Sequence, residues 1–451
     1  MAARLSYSNK VMLAPMVRIG TLPTRLLALE YGADIVYSEE LIDHRMVQCQ
    51  RLVNPILDTV DFVSPDGRCM FRTCEREKKH VVFQMGTADS VRAVETAKLV
   101  ERDVAGIDVN MGCPKDFSLK GGMGAALLSN PERVRSILTS LVSAVSLPVT
   151  CKIRLLPTPQ ATFDLVKVIE STGVAAVAVH GRSIKERSTQ PCHYDVIREI
   201  VSRASIPVIA NGGSNEITSY KDVDKIKSLT GCESVMIARA AQWNPSVFRR
   251  EGALKIDDVI KRYLQLAVDT GNGCSNTKYC VCQMMADRME GPLGARLHSA
   301  KNIREICDLW GMTGYHDAAE ARRSDVMEGL SLREQKSLGV ASFSPGGAKR
   351  QRMDAELTEE GVMELCVKYE RRDYPAHTPK SELLEHCSQR HLDPPSYNTV
   401  ERSRDRLFKS VLTVCGDKYS SSFWLKSKKS SEQAAAIVAL AVLGLDVPTK
   451  Q

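Results

Sequence analysis

A (β/α)8 barrel, followed by a small helical region and a C-terminal α-β-β-β-α module, is the architecture this sequence predicts. Three observations lead there. Eight short apolar or β-branched runs alternate with helix-length segments between Val11 and Arg239. Polar and glycine residues gather at the ends of those runs. Beyond Ile256 the runs stop, and helical spacing, a polar stretch and a second compact segment follow in turn.

The runs are Val11–Met16, Asp34–Ser38, Val81–Met85, Gly106–Asn110, Val149–Ile153, Ala175–His180, Pro207–Asn211 and Ser234–Ala238. Several are unbroken apolar stretches, the pattern of parallel strands buried on both faces. Between them, Val91–Glu101, Pro131–Ala144, Ala161–Ser171 and Val196–Ala204 carry apolar residues three and four apart, as a one-faced helix does. Ile42–His80 is too long for one connection and predicts a helix and an inserted hairpin near Phe62–Cys74. Asp257–Val268, Asn276–Met289 and Ala295–Leu309 show helical spacing only, and Ser331–Arg352, with Pro345, Gly346 and Gly347, reads as a linker. In the last segment, Pro379–His391 reads as a helix opened by Thr378-Pro379. Ser396–Val400, Phe408–Val414 and Tyr419–Trp424 read as strands, and Ser427–Leu443 as an Ala-rich helix. The expected domains are residues 1–254 (barrel), 255–330 (helical), 331–356 (linker) and 357–447 (the C-terminal module with an N-terminal extension).

Composition sets the bounds. At roughly 150 residues per domain, 451 residues suit about three domains. With 43% hydrophobic and 25% charged residues the chain is neither mainly disordered, collagenous nor membrane-spanning. A net charge of +7, from 61 Lys+Arg and 54 Asp+Glu, permits an anionic partner without demanding one. Met1–Lys10 has no signal-peptide pattern, and the longest apolar run, Ala434–Leu445, is too short to span a bilayer. Fourteen cysteines without a secretory signal read as reduced thiols in the cytoplasm. Lys349-Arg350-Gln351-Arg352 reads as basic linker rather than a nuclear signal. Cys280-Val281-Cys282 lacks a second ligand pair, Cys69 and Cys74 make no ligand set, and no metal is expected. Nothing calls for a dimer.

Strand C-terminal ends face the active site in such a barrel. Asn110-Met111-Gly112-Cys113-Pro114 ends the fourth run, ahead of the glycine-rich Gly121-Gly122-Met123-Gly124. A rim thiol there is a proton donor or a nucleophile according to its pKa; the bland alternative is packing, the usual role of a buried cysteine. Asn211-Gly212-Gly213 and Ala238-Arg239, after runs seven and eight, suit a phosphate. Glycine lets backbone amides approach, and arginine adds a planar fork. Gln84, Lys152 and His180 come from runs three, five and six. A cation and hydrogen-bonding groups around a phosphate-anchored ligand suit a flavin, whose reduced ring is negative. Between Arg402 and Lys429 eight Lys/Arg stand against Asp405 and Asp417. Lys426, Lys428 and Lys429 open the last helix against its dipole. An anionic partner such as RNA phosphate resolves that conflict; a solvated surface cluster is the alternative.

These residues carry a resemblance. Leu13-Ala14-Pro15-Met16-Val17, Gln84-Met85-Gly86, Asp108-Val109-Asn110-Met111-Gly112-Cys113-Pro114, Gly121 through Leu128, Val179-His180-Gly181-Arg182 and Ala210-Asn211-Gly212-Gly213 resemble the dihydrouridine synthases, and among them the eukaryotic type 2 branch. The last segment resembles a double-stranded RNA-binding domain. The resemblance implies FMN in a TIM barrel. Pro15, Met16 and Val17 pass under the isoalloxazine. Gln84, Lys152 and His180 bond the ring. Asn211, Gly212, Gly213, Ala238 and Arg239 hold the phosphate. It further implies reduction of the flavin by NADPH, or NADH, hydride transfer to C6 of a uridine, and protonation of C5 by Cys113. Asn110 and Arg182 then face the base. The implied substrate is uridine 20 in the D-loop of tRNA, unstacked to reach the mouth, with other structured RNA as a further partner.

Two departures stand out. Where such RNA-binding domains carry a Gly-Pro-rich loop, this chain has Arg402-Ser403-Arg404-Asp405-Arg406. Where the final helix usually opens with three lysines, it has Lys428-Lys429-Ser430-Ser431-Glu432. Both point to a tuned tRNA mode, with Lys368, Arg371 and Arg372 of the extension enlarging the RNA surface. Two other readings stay open: an FMN barrel that reduces a small molecule, and an RNA-binding protein on a retired barrel. The intact Cys113, Lys152 and His180 weigh against the second.

Overall fold

Each of the eight apolar runs forms a strand of one parallel barrel. The structure is a computed structural model; it describes residues 5–65, 67–329, 356–357, 362–365, 367–369, 378–389, 392–403, 405–414 and 416–443. The first twelve strands are β1 (Val11–Leu13), β2 (Ile35–Tyr37), β3 (Leu41–Ile42), β4 (Gln50–Asn54), β5 (Thr59–Val63), β6 (Cys69–Thr73), β7 (Val81–Gly86), β8 (Gly106–Met111), β9 (Val149–Leu155), β10 (Ala176–Ser183), β11 (Val208–Asn211) and β12 (Ser234–Ile237). The order β2-β1-β12-β11-β10-β9-β8-β7 is parallel throughout, and β2 pairs again with β7 to close the barrel. Side chains alternate in and out. Met12, Ala14, Ile35, Tyr37, Val82, Ala176, Ala178, Ile209 and Met236 form an inner cluster. Their neighbours Val11, Leu13, Val36, Val81, Phe83, Val177 and Val179 join the larger cluster beneath the helices.

Those helices are α1 (Leu22–Glu30), α2 (Asp43–Met46), α3 (Ser90–Val100), α4 (Asp116–Lys120), α5 (Pro131–Ala144), α6 (Pro159–Glu170), α7 (Tyr194–Arg203), α8 (Lys221–Thr230) and α9 (Arg239–Trp243). Their starts are legible. Asp89 caps α3 by accepting from the Arg92 N–H at 2.9 Å. Asn130 and Thr158 cap α5 and α6, each followed by a proline whose φ is already helical. Between β2 and β7 the expected hairpin is instead a three-stranded sheet, β4-β5-β6. The extra strand, β4, buries only Asn54 and no apolar residue, so no apolar run marks it.

Helices α10 (Ile256–Asp269), α11 (Cys274–Met285), α12 (Pro292–Ser299), α13 (Ile303–Asp308) and α14 (Thr313–Glu328) follow. Val259, Ile260, Tyr263 and Leu264 of α10 share the barrel's outer cluster, and Arg262 pairs with Glu30 of α1 at 2.7 Å. Met1–Phe62 with Met70–Val326 thus forms one compact unit, and Val63–Cys69 with Met327–Gln451 forms the other. Residues 331–355, most of the expected linker, lie outside the described residues.

The second unit holds β13 (Glu356–Leu357), β14 (Val362–Leu365), α15 (Pro379–Gln389), β15 (Ser396–Arg402), β16 (Leu407–Val414), β17 (Asp417–Ser421) and α16 (Lys428–Val442). The alanine face of α16 packs with Leu383, Leu412 and Tyr419. Three strands are expected from the sequence; the sheet has five, in the order β13-β14-β17-β16-β15. The extension supplies the other two, with β14 running parallel to β17. Among the described residues no helix is long and apolar enough to cross a membrane, and no group of three or more His, Cys, Asp or Glu could hold a metal ion.

Candidate active site

An inward residue near the C-terminal end of a barrel strand faces the mouth. Gln84 on β7, Asn110 on β8, Lys152 on β9, His180 on β10, Asn211 on β11 and Ala238 just past β12 share that parity. All six line a cavity of about 480 Å³. Its rim adds Pro15, Met16 and Val17 after β1, Cys113 after β8, Arg182 on β10, Gly212 after β11, and Arg239 at the start of α9. Gly213 stands behind the lining. Its φ is +65°, and a Cβ there would collide with the Tyr194 hydroxyl, so only glycine fits. Past Val17, Arg18 has a φ of +69°. Its N–H donates to Glu39, and its carbonyl accepts from Asn276 of α11 at 2.6 Å, so the helical segment helps shape this rim.

A chain of side-chain amides runs beneath the mouth. Buried Asp108 accepts from Gln84 Nε2 at 2.7 Å and from Thr150 Oγ1 at 2.6 Å. A carboxylate only accepts, so it turns the Gln84 oxygen outward. That oxygen accepts from Asn110 Nδ2 at 3.0 Å. Asn110 Oδ1 is left to accept from the N–H groups of both Gly112 and Cys113, at 3.0 Å each. The turn that carries Cys113 is thus registered on the strands below it.

Protonation follows from burial. The Cys113 thiol is pushed up by burial, against a hydrogen bond donated by Ser118 Oγ at 3.5 Å, so it keeps its proton at neutral pH. This suits a proton donor better than a nucleophile. Burial and the Arg154 guanidinium lower Lys152 to about 8. His180 is held neutral, down to about 2, by burial and then by Lys152, Arg154, Arg182 and Arg239. Arg182 Nη1 lies 3.3 Å from His180 Nε2. A guanidinium has only donors, so Nε2 accepts and the ring proton sits on Nδ1. The far wall is therefore cationic and ready for an anion.

The family model for dihydrouridine synthase matches residues 12–320. This chain belongs to the dihydrouridine synthase family. A second model, double-stranded RNA binding motif, matches residues 379–443 of the synthase. It is similar to the tRNA-dihydrouridine(20) synthase [NAD(P)+] of Schizosaccharomyces pombe, with 42% identity over 350 residues, 75% of this chain and 71% of that one. The Saccharomyces cerevisiae protein of the same name is 37% identical over 300 residues, 62% of this chain and 78% of that one. Among solved structures, a double-mutant RNA-binding domain of human tRNA-dihydrouridine(20) synthase is 49% identical, covering 20% of this chain and 98% of that one at a TM-score of 0.20.

Several residues of this synthase's cavity escape sequence reading, among them Arg154 and Glu40. Arg154 lies at the inward parity two residues past Lys152, and its Nε donates to the Gly112 carbonyl at 3.0 Å. It braces the Cys113 turn from β9, and extending the parity rule by one step would find it. Glu40, between β2 and β3, lines the cavity with one buried oxygen that has no hydrogen-bond partner among the described residues. It sits in a connection with no periodicity to reveal it.

In the synthase's second unit the basic cluster divides. Arg402 pairs with Asp405 at 2.6 Å and lies over the Trp424 ring, Arg406 pairs with Glu401 at 3.2 Å, and Lys409 with Glu364 at 2.7 Å. Lys426, Lys428 and Lys429 are exposed and make no ion pair among the described residues. Ser427 caps α16 beside them, accepting from the Ser430 N–H at 3.1 Å. The Lys368 ammonium sits 4.6 Å from the centre of the Phe423 ring. Arg371 and Arg372 lie outside the described residues.

Proposed function

We propose that this synthase reduces uridine 20 in the D-loop of cytoplasmic tRNA to 5,6-dihydrouridine, with FMN in the barrel and NADPH, or NADH, as reductant. The observation that best supports this is the placement of the half-buried Cys113 thiol and a wall of Lys152, Arg154, Arg182 and Arg239 around one barrel mouth. The residues fit a flavin. Gly212 and Gly213, with φ of +130° and +65° and no room for a Cβ, form a tight turn beside Arg239 at the start of α9, where backbone amides can approach a phosphate. Asn211 and Ala238 border it. Gln84, Lys152 and neutral His180 would meet the ring, with Pro15, Met16 and Val17 beneath. Once bound, the flavin would supply a hydride to uracil C6.

The chain does the rest. Cys113 gives its proton to C5, and Asn110 and Arg154 hold the turn that presents it. Arg182 and Asn110 face the base. Lys368, Arg371, Arg372, Lys426, Lys428 and Lys429 bind RNA phosphates. Incubating unmodified tRNA with the purified protein and NADPH, then mapping nucleosides by mass spectrometry, tests the reading. A gain of two hydrogens at one D-loop uridine is expected. Cys113→Ala should stay yellow and oxidise NADPH without making product. A yellow, NADPH-oxidising wild type that leaves tRNA unchanged overturns the substrate and points to a small-molecule reductase.

A further inference from the structure

The cations that suit this cavity to an anion are a difficulty for an acid. Lys152 and Arg154 on β9 lie within electrostatic reach of Cys113, and Lys115 lies on its own loop. Cations beside a thiol favour the thiolate, which has no proton to give. Glu40 stands against them. It lines the same cavity as Cys113, and the two groups influence each other electrostatically. Its Oε1 is buried without a partner, and no ion pair holds Glu40 among the described residues. Gly86 keeps the space for it: a Cβ there would stand 2.8 Å from Oε1. A carboxylate oxygen buried with no hydrogen-bond partner costs stability, so its use lies in what it faces.

We propose that Glu40 is a positioning residue for the acid, its carboxylate keeping the Cys113 thiol protonated against the surrounding cations. This rests on the reading of Cys113 as proton donor. The carboxylate places negative potential where thiolate charge would form. In the reaction the S–H bond breaks as a C–H bond forms at uracil C5. The sulfur, left charged beside Glu40, then takes a proton from water at the open mouth. Burial raises both the thiol and the Glu40 carboxyl, and Glu40 adds to the effect on the thiol.

The test is iodoacetamide labelling of Cys113 in the purified full-length flavoprotein across pH 6–10, resolved from the other cysteines by peptide mass spectrometry. Glu40→Gln should lower the midpoint of the Cys113 profile by about one unit, making labelling about tenfold faster at pH 7.5. An unmoved or raised midpoint overturns the proposal. Should Glu40→Gln fail to hold its flavin, Gly86→Ala serves instead. It displaces the carboxylate and meets only the flexible ends of Glu40 and Ile42 at close range. The same downward shift is expected, and an unmoved midpoint is again fatal. Labelling needs no RNA, so this result stands apart from the tRNA assay.

Discussion

Removing the Asn110 side chain tests whether the amide chain presents the acid. Asn110→Ala deletes three hydrogen bonds, two from the Gly112 and Cys113 N–H groups and one to Gln84. At ~1 kcal/mol each, about 3 kcal/mol of order leaves the turn. If the transition state needs the turn in place, that is on the order of a hundredfold in rate. Asn110→Asp keeps both acceptor bonds but replaces the donor to Gln84 with an oxygen that opposes the Gln84 oxygen, so its loss should be about tenfold, still smaller than that of Asn110→Ala. The assay is single-turnover dihydrouridine formation by pre-reduced protein, with flavin content and Cys113 labelling measured alongside. Asn110→Ala within twofold of wild type would refute the reasoning. An Asp variant as impaired as the Ala variant would show that the two backbone bonds are not what matters.

Three further outcomes are expected. Gly213→Ala should lower flavin content and melting temperature by forcing a side chain into the left-handed region and against the Tyr194 hydroxyl; adding Tyr194→Phe should restore part of both, since it removes the oxygen the new Cβ would strike. Lys428→Ala with Lys429→Ala should weaken tRNA binding and flatten its log–log salt dependence by about two, read by titration at several salt concentrations. His180, at about 2 in the folded apoprotein against 6.5 unfolded, leaves the unfolded state with the extra proton, so stability falls as pH drops below 6.5. Denaturant unfolding at pH 7, 6 and 5 should show a slope smaller by about one proton in His180→Gln.

The barrel was legible because its strands are buried on both faces and read as apolar runs. Most of the cavity was legible because one parity, carried to each strand's end, selects Gln84, Asn110, Lys152, His180 and Asn211 together. What escaped has physical reasons. β4 buries no apolar residue, and β14 is four residues long in a segment without alternation. Glu40 reaches the cavity from an irregular connection. The role of Asp108, two places below the mouth, depends on which way two amides point, and only their hydrogen bonds reveal that. The basic cluster shows the converse: charges that look alike in the sequence divide once the fold is in place, Arg402, Arg406 and Lys409 taking carboxylate partners while Lys426, Lys428 and Lys429 have none among the described residues.

The RNA-binding motif match begins at residue 379, yet the sheet ignores that border. Val362–Leu365 lies in register along Lys418–Ser421, Ser422 N–H donates to the Leu365 carbonyl at 3.0 Å, and Ser421 Oγ donates to that of Val367 at 2.5 Å. A fragment cut at residue 379 would strip this cover and bare one edge of β17. Bare edges recruit foreign strands. Such a fragment should clump at concentrations where one starting at residue 356 stays dispersed. Whoever transplants this module onto another protein must carry the two outlying strands with it.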